Sequence, residues 1–144
     1  MRVRGWRAST LLLGLFVSLS IVALVTVTPV QAGKPAGGAG GGGGVSYSCS
    51  VAVTYSPGSF TVKTTITATG GSLPGPTETD YVSSYKNGVL YNTQSATNSV
   101  GRNTATFTFN VPVPSSGAGA YTFQSTILSS KGSQLATCTG TYSL

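Results

Sequence analysis

The chain has 144 residues, enough for one domain with extensions, and only ten of them are charged. Arg2, Arg4 and Arg7 crowd the N-terminus; beyond them Lys34, Lys63, Lys86, Arg102 and Lys131 stand against Glu78 and Asp80, so five against two leaves +3 of the formal +6. Those cations form no run or stripe that would track a phosphate backbone, which argues against nucleic acid as a partner, and histidine, the commonest general base near neutral pH, is absent.

Residues 1–32 read as a secretory signal peptide. Three arginines form a basic start, Leu11 to Val27 an apolar stretch, and Val30-Gln31-Ala32 a small-residue site that predicts cleavage after Ala32. The apolar stretch is longer than usual for a signal peptide and nears the length of a membrane span. An uncleaved N-terminal anchor is therefore the alternative, and membrane attachment is expected only in that case. In both cases the arginines stay cytoplasmic and the rest is exported, which predicts a secreted or cell-surface location. No nearby cysteine supports a lipoprotein, and no paired arginines support a twin-arginine route. Residues 33–44 follow as a Gly-rich flexible linker, with maximal backbone entropy and nothing to bury.

From residue 45 to residue 144 apolar and polar residues alternate. Val45, Tyr47, Cys49, Val51, Val53 and Tyr55 share one parity; Phe60, Val62, Thr64, Ile66 and Ala68 repeat it. Tyr81 to Thr93 reads as a hairpin about Asn87-Gly88, the dipeptide of a type I′ turn. Ala105 to Val113, Tyr121 to Ile127 and Ala136 to Leu144 complete the series. Serine and threonine fill the other parity, and breakers separate the runs at Ser56-Pro57-Gly58, 70–76, 98–103, 112–119 and 129–133. About seven short strands with no helical period predict an all-β antiparallel sandwich.

Cys49 and Cys138 are the only cysteines, one in the first strand and one in the last, both on the apolar parity. In an exported chain they are expected to form a disulfide that ties the two ends of the domain together. Two cysteines without histidine make no zinc site, and no C-x-x-C spacing suggests redox work.

The run "SSYKNGVL" resembles the C–C′ hairpin of immunoglobulin-like domains, and "SSGAGAYTFQSTI" resembles their F strand, with Tyr121 at the tyrosine-corner position. The resemblance covers most of residues 45–144 and implies an immunoglobulin-like β-sandwich of the bacterial exported type. Ser84 stands where that family usually has its core tryptophan. Phe123 replaces a cysteine, so the usual B–F disulfide is missing and the link between first and last strands takes its place. Fibronectin type III-like and other seven-stranded sandwiches stay open, since topology is not written in the strands.

Little in the chain suggests catalysis. Glu78 and Asp80 lie in "PGPTETDY", a loop on this reading, with no second wall to make a glycosidase cleft. Calcium needs six to eight oxygens, more than one such loop supplies, so the two acids are expected to be solvated charges at the start of a strand. No serine has a histidine to activate it, and no Ser–Lys motif is present. The sequence therefore predicts no enzyme, no metal and no cofactor.

The tyrosines of the hairpin are the best remaining feature. A two-residue turn sets Lys86 opposite Val89, Tyr85 opposite Leu90 and Ser84 opposite Tyr91. Tyr81, Tyr85 and Leu90 then share one side, with Val82, Ser84, Val89 and Tyr91 on the other. If Ser84 points inward, Tyr81, Tyr85 and Leu90 form an outward candidate binding surface for another protein or a surface polysaccharide; the plainer reading is cross-strand packing. The expected function is an exported, non-catalytic adhesion or structural module, with a carbohydrate-binding module as the alternative. Edge strands of so small a sandwich are also able to pair between copies.

Overall fold

The computed structural model describes residues 44–144; the predicted signal peptide and most of the linker lie outside the described residues. Among the described residues every regular element is a strand: β1 (Ser46–Ser56), β2 (Ser59–Thr69), β3 (Thr77–Lys86), β4 (Val89–Ser99), β5 (Thr104–Pro112), β6 (Ala120–Ser129) and β7 (Gln134–Ser143). They form two antiparallel sheets, β1-β2-β5 and β4-β3-β6-β7.

Side-chain alternation explains the layering. Along β5 every second residue is buried, so Ala105, Phe107, Phe109 and Val111 face inward while Thr106, Thr108 and Asn110 between them face water. Phe60, Val62 and Ile66 of β2 do the same, and the sheets meet over Phe60, Phe107, Tyr121, Phe123 and Ile127, all essentially unexposed. Phe60 is the hinge of an aromatic cluster, with ring centroids 4.6 Å from Tyr121 and 5.2 Å from Phe123. Both contacts lie within the range of favourable edge and tilted arrangements.

The two open sides of the sandwich are closed by different chemistry. On one side β1 and β7 approach from different sheets, and Cys49 and Cys138 are joined there with their Cα atoms 5.8 Å apart. The predicted disulfide is thus formed, and it links sheet to sheet. Gly140 sits on the same side. A Cβ there would lie 2.7 Å from Cγ1 of Val51, so only glycine lets the last strand press this closely on the first. On the other side β4 and β5 share no ladder. Instead the Gln94 amide donates to the Asn110 carbonyl at 2.9 Å, and the Asn98 amide donates to the Thr106 carbonyl at 2.7 Å. Side-chain amides of one edge strand thereby cap the backbone of the other.

Three turns gather at one end. Asn87 and Gly88 have φ of 48° and 81°, the left-handed pair a type I′ turn demands. The Asn87 backbone N–H donates to the Ala120 carbonyl at 2.8 Å, and the Asn87 side-chain oxygen accepts from the Ala120 N–H at 3.0 Å. The hairpin tip is thus tied to the start of β6. At the opposite end Leu73, Pro76, Val100 and Arg102 cross-link the loops by backbone hydrogen bonds.

Three expectations need correction. β3 begins at Thr77, so Glu78 and Asp80 are in a strand and not in a loop. Ser84 pairs with Asn92 and not with Tyr91, because a bulge between Ser84 and Tyr85 leaves Tyr91 without a partner. The extra residue lets Tyr91 lean on the core, its ring centroid 6.1 Å from that of Tyr121. β4 also runs on to Ser99, through the first residues expected to break it.

Candidate functional site

Tyr81, Tyr85 and Leu90 lie on the outer face of the four-stranded sheet. Tyr81 is 45 % exposed and Leu90 52 %, while Tyr85 is half-buried beside its cross-strand partner Leu90. The parity that turns them outward turns Val82 and Ser84 inward, where both are buried. Val89, at the hairpin tip, is 69 % exposed and extends the apolar surface around the turn. Tyr81 sits between Ser95 of β4 and Thr126 of β6. The patch is therefore a short aromatic and aliphatic row in a field of hydroxyls. Chemically it offers ring faces and hydroxyl groups: it can stack and hydrogen-bond.

Lys86 closes the row at the tip. Its ammonium donates to the Ser116 hydroxyl and lies 5.6 Å from the centre of the Tyr121 ring. The Tyr121 hydroxyl in turn donates to the Gly117 carbonyl, four residues back, pinning the loop that leads into β6. These contacts make the exposed hairpin a braced platform, not a free arm.

A second group of residues escaped the sequence reading. Glu78 and Asp80 are both wholly shielded from solvent on the inner face of β3. Near them stand the hydroxyls of Thr64 on β2 and of Ser125 and Ser129 on β6, all buried. The signal was present: Glu78 and Asp80 share the parity of Val82 and Ser84, and the strand needed only to be extended backwards by two pleats. The charge of the two residues argued the other way, since acids are rarely fully buried without a partner.

Asp80 has one good hydrogen bond: the Ser125 hydroxyl donates to its Oδ1 at 2.6 Å. Its Oδ2 and both oxygens of Glu78 have no hydrogen-bond partner among the described residues. Burial is the main force on both groups. It pushes the Glu78 carboxyl up to about 7, and it raises Asp80 above its ordinary value against the opposing pull of Ser125, Thr64 and the Tyr81 backbone. Thr64 is a neighbour but not a bonded partner, since its hydroxyl meets no hydrogen-bond geometry. Burial, and then the nearby Tyr121, also pushes the Tyr91 hydroxyl up to about 12.

Among the described residues no cluster of three histidine, cysteine or acidic side chains is placed to hold a metal ion. The two carboxylates are enclosed on the core side of a strand, where a substrate has no approach. Hydrolytic work by such a pair needs an open cleft between them. No protein-family model matches the chain, and no curated protein matches it.

Proposed function

We propose that the chain is an exported, non-catalytic immunoglobulin-like module with an adhesive or structural role at the cell surface. The observation that carries this reading is the placement of the acids. Glu78 and Asp80 are the only carboxylate side chains in the sequence, and both are inside the core. The surface that remains offers threonine and serine hydroxyls, amides, a few cations and the row Tyr81, Tyr85 and Leu90. That is a repertoire for contact and not for breaking bonds.

The immunoglobulin-like assignment is supported by seven strands in a three-on-four arrangement and by the Tyr121 hydroxyl reaching back to the chain before β6, in the manner of a tyrosine corner. β4 pairs with β3 instead of joining β5, which sets the module apart from the constant-type antibody arrangement. Export is supported by the N-terminal signal and by the disulfide, a bond that persists in oxidising compartments.

The second reading, a carbohydrate-binding module, is favoured by the exposed Tyr81 ring flanked by Ser95 and Thr126, a stacking face beside hydroxyl groups. One experiment separates the two. The full chain and its Tyr81→Ser and Leu90→Ser variants are applied to immobilised polysaccharides and to whole cells. Both substitutions are expected to change stability by less than about 0.5 kcal/mol, because the side chains are exposed. Retention on cells, lost in both variants while polysaccharides are ignored, supports the adhesive module. Retention on a polysaccharide, lost with Tyr81→Ser, supports the second reading. Binding that survives both substitutions removes the hairpin row from either.

A further inference from the structure

Two carboxyls with no cation beside them among the described residues, in the core of a domain this small, have consequences for how the fold responds to protons. Among the described residues, no element packed around them supplies a compensating charge. β2 contributes the Thr64 hydroxyl, while its one cation, Lys63, points to solvent. β6 contributes Ser125 and Ser129, and its only ionisable side chain, Tyr121, is at the far end of the strand beside the hairpin tip. β4 sets Asn98 opposite Glu78 and Ala96 opposite Asp80; its Tyr91 is at the far end. β5 carries no ionisable residue. β1 brings Tyr47, which packs on the core near the same end as Glu78. β7 brings Tyr142, again at the tip end, and Cys138, which is locked in the disulfide. Lys86 is committed to Ser116 and Tyr121, and Arg102 and Lys131 are exposed in loops. The causes acting on the two acids accordingly include burial and hydrogen bonds but no attraction to a cation.

A buried carboxylate with neither cation nor donors is costly, and the same group as a neutral acid is not. Glu78 is also placed where its charge would be felt locally. It is the second residue of β3, paired with Ser129 at the last residue of β6, and Gly75, just before the strand, lies against Ser130. We propose that Glu78 and Asp80 form a proton-operated latch at this end of the sandwich: with both carboxyls protonated the start of β3 is held against β6, and their ionisation loosens it.

The direction follows from linkage. Glu78 ordinarily titrates near 4.5, and in the folded chain near 7. The folded state therefore holds its proton more tightly than the unfolded chain does. Stability is full below about pH 4.5 and is lost as pH climbs through 7. Asp80, raised for the same reason, adds loss in the same direction. This is the opposite of the usual acid denaturation, in which carboxylates paired in the native state must be protonated.

The test is the melting temperature of the full chain with its disulfide intact, from pH 4.5 to pH 8. The wild type is expected to fall by roughly 5 °C or more over that range. Glu78→Gln and Asp80→Asn imitate the protonated acids, and together they are expected to flatten the profile. A double variant with the wild-type slope, or a wild type whose stability rises over the range, overturns the proposal. Should the double variant fail to fold, amide hydrogen exchange on the wild type decides. Protection corrected for intrinsic rate should fall with pH at Thr77–Thr79 and Ile127–Ser129 while it holds at Phe60–Val62; uniform loss, or none, refutes the latch.

Discussion

Asp80 and Gly140 show how much a single side chain, or its absence, can settle in this molecule. Asp80 gives one oxygen to Ser125 and leaves the other without a donor, so the core holds a polar group that is only half satisfied. Gly140 does its work by having no Cβ. Val51 and Val53 fill the space a methyl group would take. Gly140→Ala is therefore expected to lower stability by about 1–3 kcal/mol, as overpacking does, with denaturant unfolding as the measurement. The loss should shrink when Val51→Ala is added, since the two residues touch. The burial of Asp80 was legible in the parity of its strand but was masked by its charge. The role of Gly140 was not legible, because strand-internal glycines announce a close approach without saying to what.

The hairpin and the amide seam belong to the scale of elements. Asn87-Gly88 fixes both the position and the type of the turn, because few other dipeptides tolerate two successive positive φ values. The bulge that follows was invisible. A bulge inserts one residue without altering composition, and it moved Tyr91 from a paired position to a packing one. Across the seam, Gln94 and Asn98 reach the backbone of β5 and seal an edge that would otherwise be free. Replacing both by alanine is expected to cost about 1 kcal/mol for each bond. It should also expose the β5 edge. Faster amide exchange along β5, with increased self-association by light scattering, is the expected outcome; unchanged exchange would mean the seam carries no weight.

For the molecule as a whole, the disulfide closes one open side and the amides close the other. Cys49 and Cys138 are 89 residues apart, so their bond constrains almost the whole domain in the unfolded state. In the chain-entropy view it contributes about 4–5 kcal/mol. Cys49→Ser together with Cys138→Ser is expected to lose most of that, measured as a lower denaturant midpoint. The loss should appear chiefly between β1 and β7, because β4 and β5 keep their own closure. A drop below about 1 kcal/mol would show that sheet packing alone holds the two layers together.

What the sequence determined by itself was the alternation: which strands exist, which face of most of them is greasy, where the chain turns, and that two cysteines sit at opposite ends of one domain. These are local properties, since a pleat reverses at every residue and a type I′ turn accepts few dipeptides. What only the tertiary structure decided was partnership. Strand order, the bulge at Tyr91, the contact of Gly140 with Val51, and the enclosure of Glu78 and Asp80 all depend on residues distant in the chain. A side chain's solvent exposure is set by what is folded over it, and no local pattern reports that when a charged residue occupies an inward position.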